Sequence, residues 1–138
     1  MPVHVDHLIS NRFDVSLESI AGTHDFQGAA PHRVSLYVSY NDLTGAPTEQ
    51  IRISVDLSPD DGQTLIDYDK LLTEAGTDAP VANVNTGASP QNATDVIDIS
   101  PETVMDYIRV LAEAHTAGAT PFAAAQRIDL DCWLVWET

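Results

Sequence analysis

The sequence predicts a single α+β domain over residues 1–138, in which a mainly antiparallel sheet packs on two helices. Three observations lead to this fold class. Several segments alternate apolar and polar residues with a period of two, which is typical of half-buried strands. Two other segments open with a helix-start pattern and close at a glycine. The length of 138 residues is that of one compact domain.

The first half of the chain supplies the predicted hairpin. VHVDHLI (3–9) and FDVSL (13–17) are short candidate strands. VSLYVSY (34–40) and IRISVDL (51–57) alternate more clearly, and the turn-rich segment NDLTGAPTEQ (41–50) joins them. We therefore expect the two strands to pair as an antiparallel hairpin with a long loop. Its projecting tip, a candidate contact site, consists of Leu43, Thr44, Gly45, Ala46 and Pro47.

Each of the two predicted helices begins within a similar sequence motif, SVDLSPDD (54–61) for the first and VIDISPET (96–103) for the second. In each copy a serine can cap a helix, proline fits the first turn, and acidic residues favour the positive end of the helix dipole. The helices are expected over about 59–75 and 101–117. We interpret this repeated motif as a common way of ending a strand and starting a helix, rather than as an ancient duplication or a functional loop. The second helix would carry one apolar stripe formed by Val104, Ile108, Leu111 and His115.

A long connection is predicted between the helices. Residues 76–95 contain no base and few large side chains, apart from a short candidate strand at VANV (81–84). Loops of this length in a compact domain are usually functional or mobile. We expect this loop to bind a partner or to be mobile, with Val81 and Val84 as contact residues.

The last strand, QRIDLDCWLVWE (126–137), shows the strongest alternation. The face of this strand that points away from the predicted core begins with charged residues and becomes apolar at Trp133 and Val135. Something besides the core should therefore cover that outer face. A helix of this chain or a partner protein would serve equally well. The predicted core face consists of Ile128, Leu130, Cys132, Leu134 and Trp136.

Charge indicates the solvent for which the protein is built. Twenty-one acids face six bases, for a formal net charge of −15, and fifteen of the acids are Asp while Lys70 is the single lysine. Such a surface repels itself in dilute buffer, whereas molar salt shortens the Debye length to about 3 Å. This composition resembles the salt-adapted proteins of haloarchaea and their viruses. A direct nucleic-acid binder is not expected, because no basic patch could neutralise phosphates.

We expect no targeting signal in this sequence. No apolar run approaches a membrane span, and MPVHVDHLIS (1–10) lacks the features of a signal peptide. The single cysteine, Cys132, excludes an internal disulfide and is expected to fill core space. We expect the protein to be made in the host cytoplasm and packed into a virion, or else to remain cytoplasmic.

Catalytic motifs are also lacking. His4-Val5-Asp6-His7 resembles the end of the HxHxDH signature of metallo-β-lactamase-like hydrolases, but Pro2 stands where the first histidine would be. His4, Asp6 and His7 could still hold a metal, although strand alternation turns His7 away from the other two. The pairs Asp67/Asp69 and Asp129/Asp131 could bind a cation or act as acid and base. We expect no enzyme, no cofactor and at most loosely bound cations.

A chain of this size and element order resembles the tail-terminator, neck and tail-tube subunits of tailed viruses, which implies assembly into rings through sheet edges and loops. Together with the composition, this predicts a non-enzymatic virion subunit of a haloarchaeal tailed virus. It would bind copies of itself and other virion proteins, and neither nucleic acid nor membrane. The alternatives are a small haloarchaeal metal-binding protein or hydrolase using His4, Asp6 and His7, and an acidic DNA mimic. A mimic should hold its carboxylates in rows on one face.

Overall fold

The structure, a computed structural model, consists of β-strands. It describes residues 2–17, 19–27, 31–42, 49–67, 82–85, 92–99, 106–116 and 127–138. No helix occurs in these ranges, and therefore none that could cross a membrane. The strands are β1 Val3–Phe13, β2 Ser19–Asp25, β3 Arg33–Asp42, β4 Glu49–Ser58, β5 Ile66–Asp67, β6 Ala82–Asn85, β7 Asn92–Ile99, β8 Tyr107–Thr116 and β9 Ile128–Glu137.

The strands form two antiparallel sheets. Sheet I has the order β1-β9-β3-β7, and sheet II has the order β2-β8-β4-β5, with β6 also paired to β4. From β1 to β4 and from β7 to β9 each strand lies in the sheet opposite to its predecessor. This arrangement is that of a double-sheet jelly roll.

One hydrophobic core fills the space between the sheets. In β9 every second residue from Ile128 to Leu134 is fully buried, and β4 buries Ile51 to Leu57 in the same alternation. The pattern of β9 therefore lies where the sequence predicts it, with Trp136 packed half-buried at the edge of the core. Apolar side chains of both sheets form one continuous cluster, so the domain is stabilised mainly by this burial.

The predicted α+β class is wrong, and the clearest correction concerns 101–117. Residues 107–116 form β8, the strand of sheet II between β2 and β4. Ile108, Val110 and Ala112 are buried with a period of two. Because Ile108 belongs both to the predicted helical stripe and to this buried alternation, the pattern is ambiguous, and pairing on both sides decides in favour of the strand.

The helix predicted at 59–75 is also contradicted where the structure describes it. Ser58 and Asp60 form a turn, in which the Ser58 hydroxyl accepts from the backbone amide of Gly62 at 2.9 Å. Asp61 and Gly62 have φ of 62° and 90°, left-handed values that stop a helix. Ile66 and Asp67 then pair with β4. Ser58 accepts hydrogen bonds from backbone amides as a cap would, but these bonds close a turn and start no helix.

The predicted hairpin is wrong in its pairing. Both strands exist as β3 and β4, but β3 belongs to sheet I and β4 to sheet II. Alternation shows that a strand has one buried face and does not identify the sheet that it joins. The hairpin tip at 43–47 lies outside the described residues. Within the predicted loop 76–95, the described parts are β6 and the beginning of β7.

The two sheets approach closely where β1 passes β2. The β1–β9 register shifts between His7 and Ile9, which leaves Leu8 as a bulge. A Cβ at Gly22 of β2 would lie 2.6 Å from the Leu8 carbonyl oxygen, so only glycine fits there. Nearby, His24 of β2 and Asp6 of β1 form a hydrogen bond of 2.8 Å between Nδ1 and Oδ2. The two sheets are therefore in direct contact at Leu8 and Gly22, and a side-chain hydrogen bond joins them at Asp6 and His24.

Candidate functional site

The outer face of sheet I carries both residues that the sequence indicates as contacts on the last strand. Trp133 and Val135 lie on the face of β9 opposite the core and are half-buried. Val135 lies opposite Val5 of β1, and Trp133 opposite His7. No helix among the described ranges covers this face.

A row of large side chains crosses all four strands of sheet I. Tyr37 of β3 lies opposite both Trp133 and Val96 of β7, which extends the row from His7 to the far edge. The His7 and Trp133 rings stack, with centroids 4.7 Å apart and planes 14° from parallel. His7 Nε2 also lies 3.0 Å from Asp131 Oδ1, which fixes the imidazole beside the indole.

We call this surface the apolar patch. It consists of Val3, Val5, Tyr37, Val96, Trp133 and Val135. The structure describes six exposed large hydrophobic side chains, and four of them belong to the patch. Val5 is 62% exposed and Val96 52% exposed. Exposed apolar residues scattered singly need no explanation, but this clustering on one face is typical of an interaction surface.

The other half of the same face is polar. Arg12 pairs with Asp129 through its Nε and Nη2 atoms, at 2.7 and 3.3 Å. This hydrogen bond and the charge of Asp129 raise the pKa of Arg12. Ser39 and Asp131 occupy the register between this ion pair and the aromatic row. The apolar patch therefore ends along a defined polar border.

The outer face of sheet II is polar almost throughout. Arg109 of β8 donates to Asp56 of β4 from Nε and Nη2, at 3.1 and 2.6 Å. The next outward pairs along these strands are Ser54 with Leu111 and Arg52 with Glu113. The described outer side chains of sheet II are therefore mostly polar although half-buried, with Asp56 only 13% exposed, and the two faces of the sandwich differ in kind.

Histidines and aromatic rings meet at the end of the sandwich where β1, β2 and β9 lie together. His24 lies 4.3 Å from Trp136 and 4.8 Å from Phe26, measured between ring centroids. Its Nδ1 contacts Asp6, and His4 stacks on Trp136 at 5.3 Å. An Asp–His pair can orient a catalytic base, but here both rings beside His24 pack against it. The arrangement fits a packed seal between the sheets.

The residues of the alternative metal-site hypothesis do not converge. His4 Nε2 contacts Thr138 Oγ1 at 3.1 Å, while Asp6 contacts His24 and His7 contacts Asp131. In the part of the chain that the structure describes, no three His, Cys, Asp or Glu side chains form a metal-binding group.

The predicted aspartate pairs have separate surroundings. Asp129 and Asp131 contact different partners, Arg12 and His7. Asp67 pairs with β4 through its backbone, and Asp69 lies outside the described residues.

Cys132 is fully buried in β9, and burial raises the pKa of its thiol to about 12. Burial therefore disfavours the thiolate that a nucleophile needs at neutral pH.

The structure does not test several of the predicted contact residues. Val84 lies in β6, while Val81 and the tip from Leu43 to Pro47 lie outside the described residues. Sequence reasoning missed Tyr37 and Val96 as members of the patch. The alternation of β3 did place Tyr37 on the face opposite Val38, but only the register of four strands shows which outward residues lie together.

Comparison with known proteins gives weak structural likenesses only. No protein-family model matches the sequence, and no curated protein matches it. A chain of the T13 IBDV viral particle aligns with a TM-score of 0.47 and 9% identity over 98% of this chain and 31% of its own length. A chain of the infectious bursal disease virus Gx strain aligns with a TM-score of 0.48 and 11% identity over 97% of this chain and 32% of its own.

A third similar structure is the K1 cleaved adhesin domain of Lys-gingipain from Porphyromonas gingivalis W83. Its TM-score is 0.45 at 8% identity, over 100% of this chain and 99% of that domain. This chain spans about a third of the length of the two viral chains. With TM-scores below 0.5, these likenesses carry no argument about function.

Proposed function

We propose that this protein is a non-enzymatic assembly subunit that acts through protein–protein contacts on the outer face of sheet I. The observation that carries the proposal is the difference between the two outer faces. The apolar patch clusters Val5, Val96 and Trp133 on sheet I, whereas sheet II presents charged pairs such as Arg109–Asp56. A protein that works alone in water gains nothing from one apolar face, whereas a subunit buries it.

The finer proposal is a virion component, tail, neck or capsid-associated, of a haloarchaeal tailed virus. Two properties of the chain support it. The strand order is that of the jelly roll, which occurs in viral capsid domains as well as in lectins and cupins. The net charge of −15 with a single lysine fits a protein that assembles in concentrated salt, where like charges are screened. Fold alone never fixes function, so the assembly itself has to be measured.

Light scattering in molar KCl tests the proposal. We expect oligomers, and rings or closed shells in electron micrographs of the same samples. Val96→Asp places a charge in the apolar patch, and Ala21→Asp places the same charge on the exposed outer face of sheet II. Val96→Asp should weaken association by about tenfold or more, equivalent to ~1.4 kcal/mol, while Ala21→Asp leaves it unchanged.

Two results would overturn the proposal. One is a wild-type protein that stays monomeric at high concentration in molar KCl. The other is an equal effect of Val96→Asp and Ala21→Asp, because the patch would then have no special part in association.

A further inference from the structure

The edge of sheet I is open along the first five residues of β1. Within the described residues β1 pairs with β9 on one side and with no strand on the other. Val3 is 58% exposed and Val5 62%, and both His4 and His7 are exposed. At Leu8 the bulge and the close approach of β2 end this open stretch. The free edge is therefore the segment 3–7.

This segment lacks most of the features that usually protect an edge strand. Such strands carry lysine, proline or a bulge, point a charged residue inward, or are covered by another element. Of these, the described residues show only the inward-pointing charge, as Asp6, and it is paired with His24 of the same chain. VHVDH (3–7) has none of the first three and adds two exposed valines. Unpaired N–H and C=O groups along an edge are a template for another strand. The remaining question is which strand pairs there.

We propose that the segment 3–7 of β1 pairs antiparallel with the same segment of a second copy of this chain. The pairing extends sheet I from four strands to eight across a two-fold axis. It rests on the proposed function and names the partner, since a self-complementary edge is the expected basis of a symmetric dimer.

The charges along the segment select the register. In an antiparallel pair, two residues directly across from each other point to the same face of the sheet, whereas successive residues of one strand alternate between the faces. A two-fold axis that keeps the outer face continuous must therefore pair one residue with the same residue of the second copy. Centred on Asp6, the pairing opposes two carboxylates, which is unfavourable. Centred on Val5, it puts His4 opposite Asp6 of the second copy, twice over, and Val3 opposite His7. In both pairs His4 can donate from Nδ1 to Asp6 Oδ1, because the contacts with Thr138 and His24 use the other nitrogen and the other oxygen. The segment is therefore complementary to itself in one register.

The dimer also joins the two apolar patches. Val3 and Val5 lie on the outer face beside Val135, so the patches of the two copies become continuous across the axis. Each copy brings a net charge of −15, which opposes association in dilute buffer. In molar salt the Debye length is about 3 Å, and the short-range pairing is no longer opposed. Association should therefore increase with salt.

Single cysteines test the register. Centred on Val5, the two Cα atoms at position 5 lie about 4.5–5.5 Å apart, within disulfide reach. The two at position 3 lie roughly 14 Å apart and cannot be bridged. Val5→Cys and Val3→Cys are matched, since both sites are exposed valines on the same face. The native Cys132 is buried and stays unreactive.

With a mild oxidant in molar KCl, Val5→Cys should form a covalent dimer on a non-reducing gel and Val3→Cys should not. Circular dichroism confirms that both variants are folded. Equal cross-linking of the two variants, or none in Val5→Cys, overturns the pairing. If the wild type still scatters as an oligomer in that case, the proposed assembly function stands without it. A wild type that is monomeric in the same salt ends both proposals.

Discussion

The contact between β1 and β2 gives the sharpest test of the fold, through Gly22→Ala. A Cβ at position 22 would lie 2.6 Å from the Leu8 carbonyl oxygen and 2.7 Å from the Leu8 Cβ. An ordinary contact begins at 3.4 Å, so the β1 backbone would have to retreat or β2 would have to leave its place in sheet II. The obstructing atoms include backbone, which cannot rotate away as the end of a long side chain does.

Two effects of opposite sign compete in this substitution. Replacing glycine by alanine at an unstrained position stabilises a protein by about 0.4–1 kcal/mol, because the unfolded chain loses freedom. Overpacking a closed contact costs roughly 1–3 kcal/mol. With backbone atoms in the way we expect a net loss of about 2 kcal/mol, and a fall in melting temperature on the order of 8 °C for a domain of this size.

The measurement is thermal and denaturant unfolding in molar KCl, followed by circular dichroism. Ala21→Val is the matched control, because Ala21 is the exposed neighbour in β2. It should change the stability by no more than about 0.5 kcal/mol. A Gly22→Ala protein as stable as the wild type, or more stable, would show that β1 and β2 do not meet as described.

Three further predictions concern the core, the salt and the acidic turn. Leu134→Ala, at a fully buried site, should cost about 2–5 kcal/mol in denaturant titration, and Val135→Ala on the outer face less than about 1 kcal/mol; equal losses would contradict the assigned faces of β9. The unfolding midpoint should rise from dilute to molar KCl, because the charge of −15 is then screened, and a flat or falling midpoint would argue against salt adaptation. A hydrogen bond with Asp25 and the charge of that residue raise the pKa of Asp61 above its ordinary 3.8. Protonated Asp61 therefore stabilises the fold at acid pH, and this stabilisation is lost as the pH rises through the raised pKa. Asp61→Asn should therefore be more stable than the wild type at neutral pH, with the difference vanishing below pH 3.8, and a pH-independent difference would contradict this explanation.

The sequence was informative where one strand face meets the core. The alternation of β9 shows its buried residues from Ile128 to Leu134 and its apolar outer residues Trp133 and Val135, because burial on one face imposes a period of two. The same reasoning places Tyr37 on the outer face of β3, the face opposite to that of the buried Val38. These inferences need only the chemistry of a single segment.

The fold class was not predictable in the same way. Residues 107–116 satisfy a helical stripe and a strand alternation together, and the choice between them is made by β2 and β4, which are distant in sequence. Likewise, β3 and β4 look like a hairpin until each is found to pair with later strands. The apolar patch has the same origin, since it needs the register of β1, β9, β3 and β7.

The position of β9 between β1 and β3 determines the order in which the chain can fold. The last strand of the sequence is a central strand of sheet I, and Thr138 N contacts the Pro2 carbonyl oxygen at 3.3 Å. On the ribosome β1 and β3 must therefore wait, unpaired with each other, until residues 128–137 have emerged. Such long-range pairing makes folding slow, in the range of milliseconds to seconds, and leaves aggregation-prone edges exposed meanwhile. In dilute buffer the dense negative charge of the chain repels neighbouring copies until the sheet closes, and molar salt screens this repulsion.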